Sequence, residues 1–316
     1  MDIYQPLLNS ILVVGLIAVV GLAARQAGIL KTEWSGNLSR IIFDIGIPAM
    51  IFVNLAGVNV DFSSLEGPAI LVVVELSMIA AAWKIGAWAG LNGASLGAVV
   101  LCSAFGTSAT LGYSIISIVF PNNPEAMLEA VLISELGVAL LVFTLGPVLA
   151  MHFGSGGHTA DIGRSIIAFF KTPIFIALAA GLLWSVLGLP AGESAILRPV
   201  FGAGQALAGL VVPLSILVIA LNLKMPDLKR YLRPLAIVAA LKLVAGPILA
   251  GTLAITFGLP EIWRDELIIM AGLPPAVLNV IYLQRYGGDA ETASVITAGA
   301  SLLSLATLLL VMALLG

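Results

Sequence analysis

Residues Ala271–Gly288, AGLPPAVLNVIYLQRYGG, contain the feature that decides the fold, a helix break inside an apolar stretch. A membrane helix is expected here, yet Gly272 is followed by Pro274 and Pro275. Proline lacks an amide donor, and its ring clashes with a carbonyl of the preceding turn. In hydrocarbon, the backbone groups freed by such a break must be surrounded by protein or by a water-filled cavity. We therefore expect a discontinuous membrane helix, a feature typical of transport sites.

The composition of the chain predicts a membrane protein. Hydrophobic residues make up 60% of the sequence and charged residues 10%, with a mean hydropathy of +1.12, whereas soluble domains carry roughly 25% charged residues. A membrane helix needs about 20 apolar residues, and ten stretches reach about that length: roughly 7–27, 38–58, 68–90, 94–119, 126–150, 165–188, 197–222, 234–258, 265–284 and 290–315. We predict an all-α integral membrane protein with ten transmembrane helices, in a bacterial inner membrane.

The placement of Lys and Arg predicts the orientation, because short cytoplasmic loops are enriched in both. If the N-terminus is outside, the cytoplasmic side receives ten of these residues, including the cluster at 224–233, and the outer side only Arg198 and Arg264. Both termini are therefore predicted to lie outside. The cluster could alternatively contact anionic lipids.

The second half of the chain resembles the first. At shifts of 165 or 166 positions, four pairs of residues match: Pro48 and Pro213, Pro68 and Pro234, Gly106 and Gly272, and Glu125 and Glu291. Five helices per half is an odd number, so the halves must insert with opposite topology, as in inverted-repeat transporters. The prediction is one five-helix repeat at 1–153, a polar, glycine-rich linker at 154–163, and a second, inverted repeat at 164–316.

The repeat predicts a second interrupted helix. The run from Gly106 to Gly112, GTSATLG, aligns with the run that begins at Gly272, and its glycines and hydroxyl residues weaken a helix. Interrupted helices four and nine should then cross near the bilayer centre. Half-helix N-termini at the crossing would favour a carboxylate or another anion. A small organic anion is therefore the predicted substrate class.

The second half resembles the auxin efflux carrier family, whose plant members are the PIN proteins and whose bacterial members include dicarboxylate permeases. The resemblance is carried by Leu273-Pro274, by Tyr286-Gly287, by the final run DAETASVITAGASLLSLATLLLVMALLG, and by IPAMIFVNLAG in the second stretch. It implies a scaffold of helices 1, 2, 6 and 7, a mobile transport domain of helices 3–5 and 8–10, and substrate at the crossing. It also implies a possible homodimer formed through the scaffold. The bile acid/sodium symporters of the same superfamily, which also includes arsenite and riboflavin transporters, share this architecture, so sodium coupling stays open.

The fourth stretch departs from the family pattern at two positions. The family usually has an asparagine, a glycine and a crossover proline there. In this chain Thr107 and Ser114 stand at the asparagine and proline positions, and Gly112 is retained.

Polar residues at the predicted crossing are candidate substrate contacts. Asn279, one turn after the prolines, is best placed, although it could instead form a helix–helix hydrogen bond. The other candidates are Thr107, Ser108, Thr110, Tyr113, Ser114, Pro274 and Pro275, with Asn54 lining the same cavity. The small hydroxyl residues could equally serve only to pack membrane helices.

Four ionisable residues are predicted at membrane depth, where each is a functional hypothesis. Glu75 and Lys242 occupy equivalent helices and come close to mid-depth, either as a proton or conformational relay or as a static buried pair. Glu135 is a candidate proton carrier or ligand of a coupling cation, or else a protonated acid bonded to a neighbouring helix. Asp44 lies about two turns from the cytoplasmic end, where a snorkelled or capping role is favoured.

Other classes of protein find less support in the sequence. His152 and His158 flank the linker, no HExxH or GxSxG motif is present, and Cys102 is the single cysteine, so neither an enzyme nor a metal site is predicted. No P-loop, cofactor motif, channel filter or nucleic-acid motif is visible. A receptor or sensor with a transporter-like fold is the rival, although it would normally append a signalling domain. We predict a secondary transporter with no cofactor, and its coupling to sodium or to protons stays open.

Overall fold

The computed structural model describes residues 4–57, 65–91, 93–120, 123–154, 167, 170–191, 194–222 and 229–315. Their regular structure is helical, apart from one isolated antiparallel bridge between Gly106 and Pro275. The predicted linker at 154–163 lies, after Gly154, outside the described residues.

Eight α-helices are described up to Gly154. They are α1 (Tyr4–Gln26), α2 (Trp34–Ile41), α3 (Ile47–Ala56), α4 (Glu66–Trp88), α5 (Gly93–Ala104), α6 (Tyr113–Val119), α7 (Pro124–Leu132) and α8 (Leu140–Gly154). Eight more are described after it: α9 (Pro173–Val186), α10 (Arg198–Ala208), α11 (Val211–Asn222), α12 (Lys229–Ala240), α13 (Gly246–Thr256), α14 (Glu261–Ala271), α15 (Leu278–Tyr286) and α16 (Ala290–Leu315).

Several of these helices are long and apolar enough to cross a membrane. By length and composition the described residues contain six: Trp34–Ala56, Glu66–Trp88, Glu129–Gly154, Arg198–Leu221, Lys229–Thr256 and Ala290–Leu308. Shorter apolar helices cover Gly15–Gln26, Gly93–Ala104 and Pro173–Val186. These findings confirm an all-helical membrane protein, whereas the count of ten spans and the inverted repeat stay predictions.

π-helical turns occur at four places in the described residues. Three join helices into longer rods, at Ile42–Gly46 between α2 and α3, at Ile133–Ala139 between α7 and α8, and at Leu241–Ala245 between α12 and α13. The fourth, Ser108–Gly112, leads into α6. The three rod turns carry Asp44, Glu135 and Lys242, which are three of the four ionisable residues predicted at depth. π-Helical turns are frequent at functional sites because they re-aim a side chain.

The helices pack most extensively within two sets. In one set, α3 packs against α9 and α10, and α1 packs against α11. In the other, α4 packs against α5 and the turn at Ile133–Ala139, α13 packs against α14, and α16 packs against α12 and α5. The two interrupted helices, α5/α6 and α14/α15, both belong to the second set.

Candidate functional site

Two helix interruptions meet and pair through their backbones. Helix α5 ends at Ala104 and α14 ends at Ala271. Between the ends, the amide of Thr107 donates to the carbonyl of Pro274 at 3.0 Å, and the amide of Ala276 donates to the carbonyl of Phe105 at 2.9 Å. Each interruption therefore satisfies backbone groups of the other, which is what a break at membrane depth requires.

Side chains bond to further carbonyls at this crossing. The Nζ of Lys242 donates to the carbonyl of Ala104 at 2.7 Å, at the C-terminal end of α5, where a cation also interacts favourably with the helix dipole. Asn279 Nδ2 donates to the carbonyl of Phe105 at 3.1 Å. Thr107 Oγ1 donates to the carbonyl of Pro275 at 3.2 Å. These three residues hold the crossing together.

Glycines allow the crossing segments to approach closely. A Cβ on Gly106 would lie 3.0 Å from Lys242 Cε, and one on Gly272 would lie 3.0 Å from Pro247 Cγ. A Cβ on Gly112 would lie 2.5 Å from Met270 Sδ. Gly112 lies in the π-helical turn after the first interruption and not in the interruption itself, so its role is close packing against α14.

A cavity of about 80 Å³ adjoins the crossing. This volume holds more than one water molecule. Its lining comes from the crossing, from the rod α7–α8, and from α3 and α11: Met50, Asn54, Gly106, Thr107, Ser108, Ser134, Glu135, Val138, Ala139, Val142, Phe143, Val211, Val212, Ala276, Val277 and Leu278. Both sets of helices therefore contribute to its walls.

One corner of the cavity is polar. The hydroxyl of Tyr113 donates to Glu135 Oε1 at 2.7 Å, and the Ser134 hydroxyl donates to Ser108 Oγ at 2.9 Å. Glu135 is buried, with 3% of its surface exposed. The cavity thus combines hydroxyl groups and a carboxyl at one end with apolar side chains over the rest.

Glu75 and Lys242 lie close to each other, but neither lines the cavity. Both are buried and interact electrostatically. No ion pair between them lies within 4.0 Å in the described residues, because the Lys242 ammonium bonds to Ala104 O. Neither carboxyl oxygen of Glu75 accepts a hydrogen bond from the described part of the chain.

Asp44 joins α15 to the rod α2–α3. Its carboxyl lies 3.2 Å from the guanidinium of Arg285 and 3.4 Å from that of Arg40. Arg285 also lies over the ring of Phe43, 5.2 Å from its centroid. Asp44 is therefore an ion-pair partner between helices of the two sets.

The structure brings together some predicted site residues and not others. Asn54, Thr107, Ser108 and Glu135 line the cavity, whereas Asn279, Pro274 and Pro275 lie at the crossing beside it. Tyr113 is not in the cavity wall, but its hydroxyl donates a hydrogen bond to Glu135, which is. The side chains of Thr110 and Ser114 lie outside the described part of the structure.

Some residues at or near the site were missed by sequence reasoning. Ser134 bonds Ser108 in the cavity wall, and its position next to Glu135 in ISELG could have indicated it. Glu129 and Glu266 are buried carboxyl residues. Sequence reasoning did not select them because they lie near the ends of apolar stretches, where an acidic residue is expected to be exposed. The apolar lining residues carry no sequence signal that separates them from other membrane-helix residues.

Comparison with known proteins gives two findings. Residues 6–162 match the family model described as "Membrane transport protein". An "Uncharacterized transporter" of Methanothermobacter thermautotrophicus is 24% identical over 304 residues, which cover 95% of this chain and 95% of that protein.

Proposed function

This chain belongs to the membrane transport protein family, and we propose that it is a secondary transporter that moves a small organic anion by alternating access. The observation that carries the proposal is the cavity at the crossing of two interrupted helices. Its walls come from the crossing on one side and from α3 and α11 on the other. Movement of one set of helices against the other would change the side from which this cavity is reached.

The polarity of the crossing supports an anionic substrate. Thr107 and Ser108 precede α6, and Ala276, Val277 and Leu278 begin α15, so the N-terminal ends of both second half-helices line the cavity. Such ends present amide groups and partial positive charge, which favour a carboxylate. The hydroxyl of Ser108, which accepts a hydrogen bond from Ser134, is an additional donor for it.

The packing of the helices supports a division into a scaffold and a transport domain. The first set (α1, α3, α9, α10 and α11) would be the scaffold, and the second set would move with the crossed helices. The N- and C-termini would lie outside, and the scaffold is the surface for a possible homodimer. Membership of this family argues against an enzyme.

Two alternatives are distinguishable by experiment. A sodium-coupled symporter of the bile acid type would lose substrate uptake when sodium is replaced by choline. A receptor or sensor would bind an organic anion at the crossing without moving it across a vesicle membrane.

The test is a screen followed by a flux measurement. Carboxylates are first screened for a rise in melting temperature of the purified protein, because a bound ligand stabilises the folded state. A labelled hit is then measured for counterflow in liposomes. The variant Val212→Phe places a ring in the cavity, and Val200→Phe, on an exposed position of α10, is the matched control.

We expect Val212→Phe to abolish counterflow and Val200→Phe to preserve it, with both variants still folded. Equal counterflow in both variants would contradict the cavity as the transport site. Binding without flux in the unchanged protein would favour the receptor alternative.

A further inference from the structure

Glu135 is the ionisable residue in the wall of the described cavity. No Lys, Arg, His or Asp is among the described residues that line it. The carboxyl is buried at the polar corner, and its Oε1 accepts a hydrogen bond from Tyr113 at 2.7 Å. A charge on Glu135 therefore acts directly on any molecule inside the cavity.

Among the side chains that the structure describes, the elements packed against Ile133–Ala139 provide no cation within 4.0 Å of the Glu135 carboxyl. These elements are α4, α7, α8, α14 and the turn Ser108–Gly112. The described acidic residues on these elements are Glu66, Glu75, Glu129, Glu261, Asp265 and Glu266, and the described basic ones are Lys84, His152 and Arg264, of which Arg264 pairs with Asp265. Among described side chains, Tyr113 of α6 is the contact of Glu135. None of these described basic residues forms an ion pair with Glu135.

An anionic substrate and an ionised Glu135 oppose each other. Two like charges in an apolar cavity repel strongly because little water screens them. One of the two must be neutral when the substrate is bound. A proton on Glu135 removes the repulsion. The hydroxyl of Ser108, which accepts a hydrogen bond from Ser134, can then donate its own hydrogen to the substrate.

A metal cation is less well suited to this corner than a proton. A hard cation needs several oxygen ligands around it. Here Oε1 of Glu135 already accepts from Tyr113, and the hydroxyls of Ser134 and Ser108 bond to each other. The described residues contain no group of three or more His, Cys, Asp or Glu side chains that could hold a metal ion.

We propose that Glu135 binds the proton that crosses the membrane with each substrate anion, and that Tyr113 positions its carboxyl. The inference rests on the proposed function and adds the coupling ion to it. On the side where substrate binds, the carboxylate takes a proton from water and becomes a neutral acid. Because Tyr113 donates to Oε1, that proton goes to Oε2. On the other side the acid returns its proton to water as the anion leaves.

The test uses the full chain in liposomes that enclose a pH-sensitive dye, with the voltage clamped by potassium and valinomycin. Succinate, which crosses lipid bilayers poorly without a carrier, serves as the probe, and sodium is absent. We expect wild-type protein to move one proton with each probe anion. At pH values above the midpoint of the Glu135 titration, the uptake rate should fall about tenfold per pH unit, as for a single titrating group. Glu135→Gln, which resembles the protonated acid, should lose both the proton flux and the pH dependence, whatever rate of counterflow it keeps.

Glu66→Gln, an exposed acid at the start of α4, is the control and should behave as wild type. Proton flux in Glu135→Gln equal to that of wild type, or uptake that requires sodium, would overturn the coupling role while transport itself stands. Absence of binding and counterflow for every carboxylate in wild type would overturn the proposed function and this inference together.

An infrared measurement gives a second readout that needs no substrate. A protonated carboxyl has a C=O stretching band that disappears when it ionises. We expect such a band in a pH titration of wild type, and a shifted band in Tyr113→Phe, which lacks the hydrogen bond to Oε1. If Glu135→Gln does not fold, this pair tests whether Glu135 binds a proton beside Tyr113, which the coupling role requires. An identical band in wild type and Tyr113→Phe would overturn the assignment.

Discussion

Lys242 Nζ lies 2.7 Å from the carbonyl oxygen of Ala104, where α5 stops inside the fold. The sequence predicted Lys242 as a partner of Glu75, and the two do interact electrostatically. However, the ammonium bonds to the helix end and not directly to the carboxyl. The spacing of the sequence places Glu75 and Lys242 near the middle of the membrane. It does not show that the end of α5 offers the carbonyl of Ala104 to the ammonium of Lys242.

Lys242→Met should therefore destabilise the protein by at least about 1–3 kcal/mol, the usual cost of leaving a buried polar group unsatisfied. It would also leave Glu75 buried without its cation. The double variant Glu75→Gln/Lys242→Met should lose less stability than the two single changes added together, because the interacting charges are removed as a pair. Denaturant unfolding in detergent measures this, and strict additivity would show that the two residues are not coupled.

Asn279→Ala should lower stability modestly, by about 0.5–1.5 kcal/mol. Its amide bonds to Phe105, whose carbonyl also accepts from the amide of Ala276 and so keeps one partner. Thermal melting and ligand binding are compared in the same preparation. If Asn279→Ala keeps the melting temperature of wild type but no longer binds ligand, Asn279 contacts the substrate, as the sequence alone suggested. That result would contradict a structural role for Asn279.

The helix interruptions were predictable from the residues, and the π-helical turns were not. Proline and glycine at Gly272–Pro275 cannot continue a regular helix, so that break follows from covalent structure. The break after Ala104 was expected from glycines, hydroxyl residues and alignment with the second half. By contrast, the turn at Ile133–Ala139 depends on a one-residue change in backbone hydrogen bonding, which no composition rule sets. Its effect on the direction of Glu135 therefore required coordinates.

The ion pair between Asp44 and Arg285 links α15 to the rod α2–α3. Both side chains are about one-third exposed, 29% and 33%, so the pair should contribute only about 0.2–1 kcal/mol. If the two sets of helices move apart during transport, this pair must break. Asp44→Asn and Arg285→Gln should each raise the counterflow rate while hardly changing the melting temperature.

The swapped variant Asp44→Arg/Arg285→Asp, made together with Arg40→Gln so that two guanidinium groups do not face each other, restores opposite charges and should return the rate towards that of wild type. Arg40→Gln is the control, because the side chain of Arg40 is 73% exposed. Equal rates in all four variants would show that the pair does not resist the movement.

The family match and the most specific motifs that suggested the family lie in different halves of the chain. The family model matches residues 6–162, whereas the most specific motifs, Leu273-Pro274 and the run after Gly288, lie near the C-terminus. The resemblance to the auxin efflux carrier family is confirmed. The inverted repeat, the orientation and the substrate class stay predictions. The identity of the substrate was not readable because most of the cavity wall is apolar and looks like any membrane helix.

The most direct test of alternating access at the crossing is the accessibility of one cysteine from each side of the membrane. Cys102 is buried and is replaced by Ala, and Ala276 in the cavity wall is changed to Cys. Oriented vesicles are treated with a charged, membrane-impermeant thiol reagent from outside or from inside. We predict labelling from both sides, slowed on both by a bound carboxylate. Labelling from one side only, whether or not ligand is present, would contradict alternating access at this crossing.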